Sequence, residues 1–320
     1  MRSPDRPREH LVTLFDSRFL PFGLTLHASL QESMPNSYLW VICMDELVEQ
    51  QIQDLGLKHV STIALSSMET DELRAVKSER TAGEYCWTVT PFAAQAVFDR
   101  AGDAERVTYL DSDLFFFASP VTFFQEFEAS GKHILITEHA YAPELDRSEK
   151  SGRFCVQFMT FRRTQECFDV MKWWQDRCIE WCFDRLEDGK FGDQKYLDQW
   201  PTLFPTQVHI LCQVDKTLAP WNSDHFLRLG SVGHTPVFFH FQSFRIISET
   251  LARLYVGFSM GEQSMRFYES YLVALKEQIA LLKRHGMSLS KMPEPRRQLG
   301  FLRKIYMRLL GKVRYARLDH

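Results

Sequence analysis

As far as Asp111 the chain alternates short apolar runs with helical stripes, and few folds accept that rhythm. Leu11–Phe15, Tyr38–Met44 and His59–Leu65 read as strands. The middle one, YLWVICM, is apolar throughout rather than at every second residue, the mark of a strand covered on both faces. Leu24, Leu26, His27 and Leu30 outline a helix over Phe22–Glu32. Asp45 reads as the N-cap of a second helix ending near Leu55, with Glu46 and Glu49 close to its positive end. Pro91 opens a third over Phe92–Arg100, and Val107–Asp111 is a fourth strand. Strands separated by helices pair in parallel through crossovers. The expectation is therefore an α/β fold with a mostly parallel central sheet flanked by helices.

Beyond Asp111 the pattern is more mixed. Ile134–Thr137, Cys155–Phe161, Val208–Cys212 and Val237–His240 read as strands. A long helix is expected from Thr164 to about Glu187, stopped by Asp188-Gly189, and another over Glu262–His285. Ser288–Gln298, with two prolines, reads as a linker before an amphipathic helix over Leu299–Leu318. The expected organisation is one domain over 10–260, a C-terminal helix over 262–286 and a basic helix over 299–318, together a helical extension of the α/β body.

Composition limits the function classes. With 45% apolar and 25% charged residues the chain has the balance of a folded globular protein. A net charge of −3 argues against nucleic acid as a partner. That mean hides a polarised chain: residues 295–320 carry eight Lys/Arg and one Asp, so the rest holds a net −10. The seven scattered cysteines lack a C-x-x-C pair and suit buried thiols in a reducing cytoplasm; Cys178 and Cys182 share a helical face. The start of the chain lacks the apolar core of a signal peptide. The longest nearly apolar run, Leu114–Phe124, falls short of the ~20 residues a membrane span needs.

The sharpest chemical feature is Tyr109-Leu110-Asp111-Ser112-Asp113-Leu114. A strand delivers two carboxylates to its C-terminal end, where open α/β sheets bind ligands. Hard oxygen donors in that place suit Mg²⁺ or Mn²⁺ bridging to substrate phosphates. Downstream stand the segment RFCVQFMTFR, then Gly192-Asp193-Gln194-Lys195-Tyr196-Leu197, then Ala219-Pro220-Trp221-Asn222 and Phe238-Phe239-His240-Phe241.

In this order, after Phe15-Asp16-Ser17-Arg18-Phe19 and the helix ending Ala28-Ser29-Leu30, these motifs resemble the GT-A glycosyltransferases of the family-8 type. That group contains glycogenin and bacterial lipopolysaccharide galactosyltransferases, and the resemblance spans roughly residues 10–245. It implies a nucleotide-diphospho-sugar transferase fold and a hexosyltransferase that takes its donor from a nucleotide sugar, normally a UDP-sugar, and retains anomeric configuration. It implies Asp111, Asp113 and His240 as ligands of Mn²⁺, with Mg²⁺ the alternative. It implies Asp16 as the reader of uracil, with Thr13 and Leu14 lining the base pocket, and Asp193 and Gln194 beside the anomeric carbon as the catalytic pair. Ser112 of the metal motif would face the donor.

The chain departs from that pattern in two places. Cys155-Val156-Gln157 stands where Asn-x-Gly is common, leaving Gln157 to offer an amide to the donor sugar. The usual upstream Arg is missing, and Lys77 and Arg80 are the cations left to cover the diphosphate. Two other readings stay open: a nucleotide-sugar-binding protein without turnover, and a D-x-D metal phosphohydrolase. The acceptor class implied is a glycan or lipid-linked glycan, in surface polysaccharide or lipopolysaccharide biosynthesis. A basic helix over 299–318 would then rest on anionic lipid, placing a cytoplasmic protein peripherally on the inner face of the membrane.

Overall fold

The computed structural model of the protein describes residues 9–230, 235–290 and 306–319. Its strands in chain order are β1 (His10–Phe15), β2 (Tyr38–Cys43), β3 (Val60–Ala64), β4 (Arg106–Leu110), β5 (Leu114–Phe116), β6 (Ile134–Glu138) and β7 (Phe154–Arg162). They continue with β8 (Val208–Ile210), β9 (Thr217–Leu218), β10 (Phe238–His240), β11 (Arg245–Ser248), β12 (Leu251–Val256) and β13 (Val313–Arg317).

Seven strands form the central sheet in the order β3-β2-β1-β4-β7-β6-β8. All run one way except β7, which is antiparallel to both neighbours. The expectation of a mostly parallel sheet holds. Side chains alternate across it as strand geometry requires: Leu11 and Phe15 of β1 join one apolar cluster, Val12 and Leu14 the other. The chain leaves β1 toward β2 on one side and returns to β4 on the other. The gap between β1 and β4 is thus the switch point of the sheet, where such folds hold their ligands at the carboxyl ends of the strands.

Several of the expected caps and helices are present. Asp45 accepts from the Val48 N–H at 2.8 Å and opens the helix Glu46–Leu55, and Gly56, at φ 57°, closes it. A second layer lies beside the main sheet. There β10 pairs with β5 and β9, and the helix Glu262–Arg284 packs over it through Phe241 and Tyr271, whose rings stack at 3.9 Å.

Two expectations need correction. The helix over 164–187 ends at Glu180, because Trp181 turns extended (φ −155°, ψ 123°) and is buried there with Cys182. Asp188-Gly189 does not stop a helix. Both residues have positive φ and turn a small hairpin closed by Glu187 and Lys190, which is what an Asp-Gly pair favours. The basic helix over 299–318 also fails where it is described. Residues 306–309 are helical, but Val313–Arg317 is strand β13, antiparallel to β12, with Val313 and Leu318 buried. An unfilled edge on β12 satisfies more backbone N–H and C=O groups than a last helical turn in water would. Residues 299–305 of that expected helix, and 291–298 of the expected linker, lie outside the described residues.

Candidate active site

Strand β4 carries its chain to the switch point, where Asp111 N–H makes a last bond to β7 at the Gln157 carbonyl (3.0 Å), and the Leu114 N–H donates to the Asp111 carbonyl at 3.2 Å, closing a turn over Asp111-Ser112-Asp113 into β5. Across this turn β10 pairs antiparallel with β5, placing His240 opposite Leu114. The Asp113 carbonyl accepts from the Phe241 N–H at 2.9 Å, which locks the register. As a result His240 Nε2 stands 3.1 Å from Asp113 Oδ1 and 3.7 Å from Asp111 Oδ2. Ligand atoms of all three residues lie within 4.8 Å of one another.

The electrostatics of this cluster are strained in the way a cation would relieve. Burial, with the Asp113 charge behind it, raises the Asp111 carboxyl above its usual range, although His240 pulls the other way. Burial also acts on His240, but the Asp113 carboxylate outweighs it and holds the imidazole well above its usual value. Burial, and then the Asp111 charge, push Asp193 up to about 8. Two carboxylate oxygens and an imidazole nitrogen form an acceptable donor set for Mn²⁺ or Mg²⁺, and the Asp193 carboxyl, close enough for the Asp111 charge to act on it, adds negative charge on the same side.

Gln157 takes a different place from the one its sequence context suggests. Its side chain is buried and its Oε1 lies 2.8 Å from His240 Nδ1. An amide oxygen can only accept, so Nδ1 carries the proton and Nε2 is presented to the two carboxylates. Gln157 is not on the cavity wall, and its amide is engaged with His240.

The cluster lies on the wall of a cavity of about 580 Å³, the size of a site that encloses a drug-sized ligand. Leu14, Asp16, Asp111, Ser112, Asp113, Asp193, Gln194 and His240 of the expected set line it. Asp193 is positioned by Gly192, which sits at φ 54°, where a Cβ would meet the Trp87 ring at 3.4 Å; its carbonyl accepts from Trp174 Nε1 at 2.9 Å. Gln194 Nε2 donates to the Ser151 carbonyl at 2.7 Å, fastening the Asp-Gln segment to the short helix Ser148–Ser151 before β7. The Asp16 carboxylate accepts from the Arg18 backbone N–H at 3.0 Å and from Arg18 Nε at 2.7 Å.

Three more expected residues lie elsewhere. Thr13 is fully buried inside β1, one residue short of the strand end from which Leu14 and Phe15 reach the cavity. Lys77 pairs with Glu69 at 2.7 Å on a distant helix. Arg80 is buried, donating to Thr88 Oγ1 and to the Cys178 and Ile179 carbonyls, and so ties two helices together. The cations that do line the cavity are Arg18, Arg147, Lys150 and Arg245. Burial lowers the pKa of Arg245 while Asp113 works to raise it. Nothing local in the sequence marks Arg147 or Lys150. The nearest signal for Arg245 is its place five residues after His240.

Comparison with known proteins places the chain among relatives. Over 263 residues it is 30% identical to the protein YfnD of Bacillus subtilis (strain 168), covering 78% of this chain and 83% of YfnD. Over 239 residues it is 31% identical to YfnF of the same organism, covering 71% of this chain and 78% of YfnF. The chain belongs to the family of YfnD and YfnF. Both of these relatives are described as uncharacterized. No family model matches the chain.

Solved structures identify the fold of this YfnD/YfnF relative. The bifunctional glycosyltransferase WbbM superposes with a TM-score of 0.52 at 12% identity, over 89% of this chain and 53% of WbbM. The glycosyltransferase GlyE of Streptococcus pneumoniae TIGR4 gives 0.50 at 14%, over 90% of this chain and 66% of GlyE. The galactosyltransferase LgtC, solved with donor and acceptor sugar analogues, gives 0.50 at 10%, over 89% of this chain and 98% of LgtC. At such identities the likeness shows the fold, which is GT-A.

Proposed function

We propose that this protein is a metal-dependent glycosyltransferase of the family-8 type. It moves a hexose from a UDP-sugar to a hydroxyl of a glycan or lipid-linked glycan, with retention of configuration, in surface polysaccharide or lipopolysaccharide biosynthesis. The observation that carries the reading is the convergence of Asp111, Asp113 and His240 at the switch point of a GT-A sheet, on the same cavity wall as Asp193 and Gln194. A divalent ion held by the three ligands would offset charge on the departing diphosphate.

The chain's own groups account for the rest. Arg18, Arg147, Lys150 and Arg245 supply positive charge to a polyanionic donor. Asp16 stands at the end of β1, and its carboxylate has acceptor capacity beyond the Arg18 contacts, enough for the N3–H of a uracil ring. Burial, and then the Asp111 charge, hold the Asp193 carboxyl well above its usual range. A cation held at Asp111 would favour the ionised form of Asp193, which could then face the positive charge that develops at the anomeric carbon.

The direct test is a thermal-shift series with UDP- and GDP-sugars, with and without Mn²⁺. A ligand present at 100 times its dissociation constant stabilises the folded state by about 2.7 kcal/mol. The expected result is a shift of several degrees with UDP-sugars that needs Mn²⁺ and is abolished by EDTA, together with slow UDP-sugar hydrolysis. A shift without turnover favours a binding protein. Preference for GDP-sugars overturns the base assignment, and indifference to nucleotides overturns the transferase reading.

Contact with an anionic membrane belongs to the same proposal, on a smaller surface than the one expected from sequence. Among the described residues Tyr306, Leu309 and Leu310 are exposed, and Arg308, Lys312 and Arg314 lie in the same short segment. Apolar side chains amid basic ones suit the interface of an anionic bilayer. Because β13 is part of the fold, the test is a double substitution and not a truncation. Leu309→Glu with Leu310→Glu is expected to release the protein from anionic liposomes while UDP-sugar hydrolysis is unchanged. Undiminished co-sedimentation removes the membrane from the proposal.

A further inference from the structure

A second cluster of ligating side chains stands apart from the cavity. Glu126 lies on the helix Val121–Ser130, His209 on the edge strand β8, and Cys212 two residues past its end. One ligand atom from each lies within 4.8 Å of the others. His209 Nε2 is 2.8 Å from Glu126 Oε1. None of the three lines the cavity of the candidate active site.

We infer that Glu126, His209 and Cys212 form a site for a thiophilic divalent cation, Zn²⁺ in the first place. The inference goes beyond the proposed transfer reaction and does not depend on it.

The donor chemistry selects the ion. A thiolate, an imidazole and a carboxylate form a borderline-soft set that favours Zn²⁺ over Mn²⁺ or Mg²⁺, whereas the oxygen-rich set around Asp111 has the opposite preference. Zinc ligands at bond lengths of about 2.0–2.3 Å in a tetrahedron stand about 3.3–3.8 Å apart. The present spacing, from 2.8 Å for the His–Glu pair up to at most 4.8 Å, reaches that by side-chain adjustment alone. Water would occupy the fourth position, because Cys212 is exposed and the site opens to solvent.

Surrounding groups already hold the carboxylate in place. Glu126 Oε1 accepts from the Cys212 backbone N–H at 2.7 Å, and Glu126 Oε2 accepts from Gln213 Nε2 at 2.9 Å. Gln213 Nε2 is also 3.3 Å from the Thr122 carbonyl. Such outer contacts orient a metal ligand. Burial and the Glu126 charge hold the Cys212 thiol above its usual range, so binding must displace a proton from sulfur, and the bound cation replaces that proton as the partner of the thiolate.

The position suggests a structural clip. The link from β8 passes through Cys212 to β9, and β9 pairs with β10, the strand that carries His240. A cation bridging Cys212 and His209 to the helix at Glu126 would fasten that link to the body of the domain.

The test uses the purified full-length chain stripped of metal, with Co²⁺ as the probe. One equivalent of Co²⁺ is expected to give a thiolate-to-metal charge-transfer band in the near ultraviolet. That band should persist in a double variant carrying Asp111→Asn and Asp113→Asn. It should disappear in Cys212→Ser and weaken at least tenfold in affinity in His209→Ala. Zn²⁺ should displace Co²⁺ and raise the melting temperature of the wild type but not of Cys212→Ser. Cys212 is exposed, so its replacement leaves packing intact, and circular dichroism checks that the variant is folded. Absence of the band at excess Co²⁺, or its survival in Cys212→Ser, overturns the site.

Discussion

Asp113→Asn is expected to lower glycosyl transfer by about 10²–10³-fold, and the variant is expected to melt below the wild-type temperature in EDTA. The amide keeps the shape of the side chain but removes the carboxylate that stands 3.1 Å from His240. A metal site that loses an anionic ligand loses the charge that faces the diphosphate, and electrostatic groups of this kind are worth about 10²–10³ in rate each. The EDTA arm falls as well: burial works against the Asp113 charge, but His240 outweighs it and holds the carboxyl below its usual range, so the substitution leaves the buried imidazolium without its partner. Gln157→Leu in the same assays separates ligand from positioning residue. Mn²⁺ affinity should fall about 10–100-fold, with activity rescued by high Mn²⁺, since the imidazole is still present but its tautomer is no longer set. Wild-type Mn²⁺ affinity in Asp113→Asn would sink the metal assignment.

Asp193→Asn is expected to cut turnover by about 10²–10³ without weakening UDP binding, if its charge is needed only as the sugar becomes cationic. Its effect on stability is expected to depend on pH in a defined direction. In the metal-free chain the folded-state value of about 8 lies above the 3.8 of the unfolded chain. The folded protein therefore holds a proton that the unfolded chain releases. This contribution is fully present below about pH 4 and is lost as pH rises through 8. The Asn variant lacks the penalty. Its melting temperature in EDTA should match the wild type near pH 4 and exceed it at pH 9, by about 2–4 °C for each kcal/mol of charge cost removed. Parallel melting curves for the two proteins across that range would show that Asp193 ionises freely.

Several parts of this protein are legible in its sequence, and each rests on a local physical cause. The apolar run of β2 identifies itself as a strand covered on both faces, as β1 also is, whereas the edge strand β3 buries only Ile63. Asp45 and Gly56 bracket a helix through hydrogen bonding and φ that depend on a few neighbouring residues. The metal motif is legible because two carboxylates directly after an apolar strand end must emerge at the carboxyl edge of a sheet. His240 is assignable through motif order, although its flanking phenylalanines alone fit a core histidine equally well.

What the sequence hides depends on which distant segments meet. Arg80 and Arg147 are the same residue type in polar stretches of similar look. One is buried against the carbonyls of the helix Gln165–Glu180 and the other lines the cavity, and only the packed chain separates them. Gln157 finds His240 across 83 residues, and Glu126 finds His209 across the same distance. Residues 313–317 carry too weak a period to decide between helix and strand, and the open edge of β12 decides it. By itself the sequence determined the sheet, the helix caps and the strand end that delivers the carboxylates, because these arise from interactions between near neighbours. The tertiary structure alone decided which cations face the cavity, which amide orients the histidine and where the basic end pairs. The energy of a charge, a hydrogen bond or a strand edge is set by whatever group packs against it, and sequence separation does not specify that group.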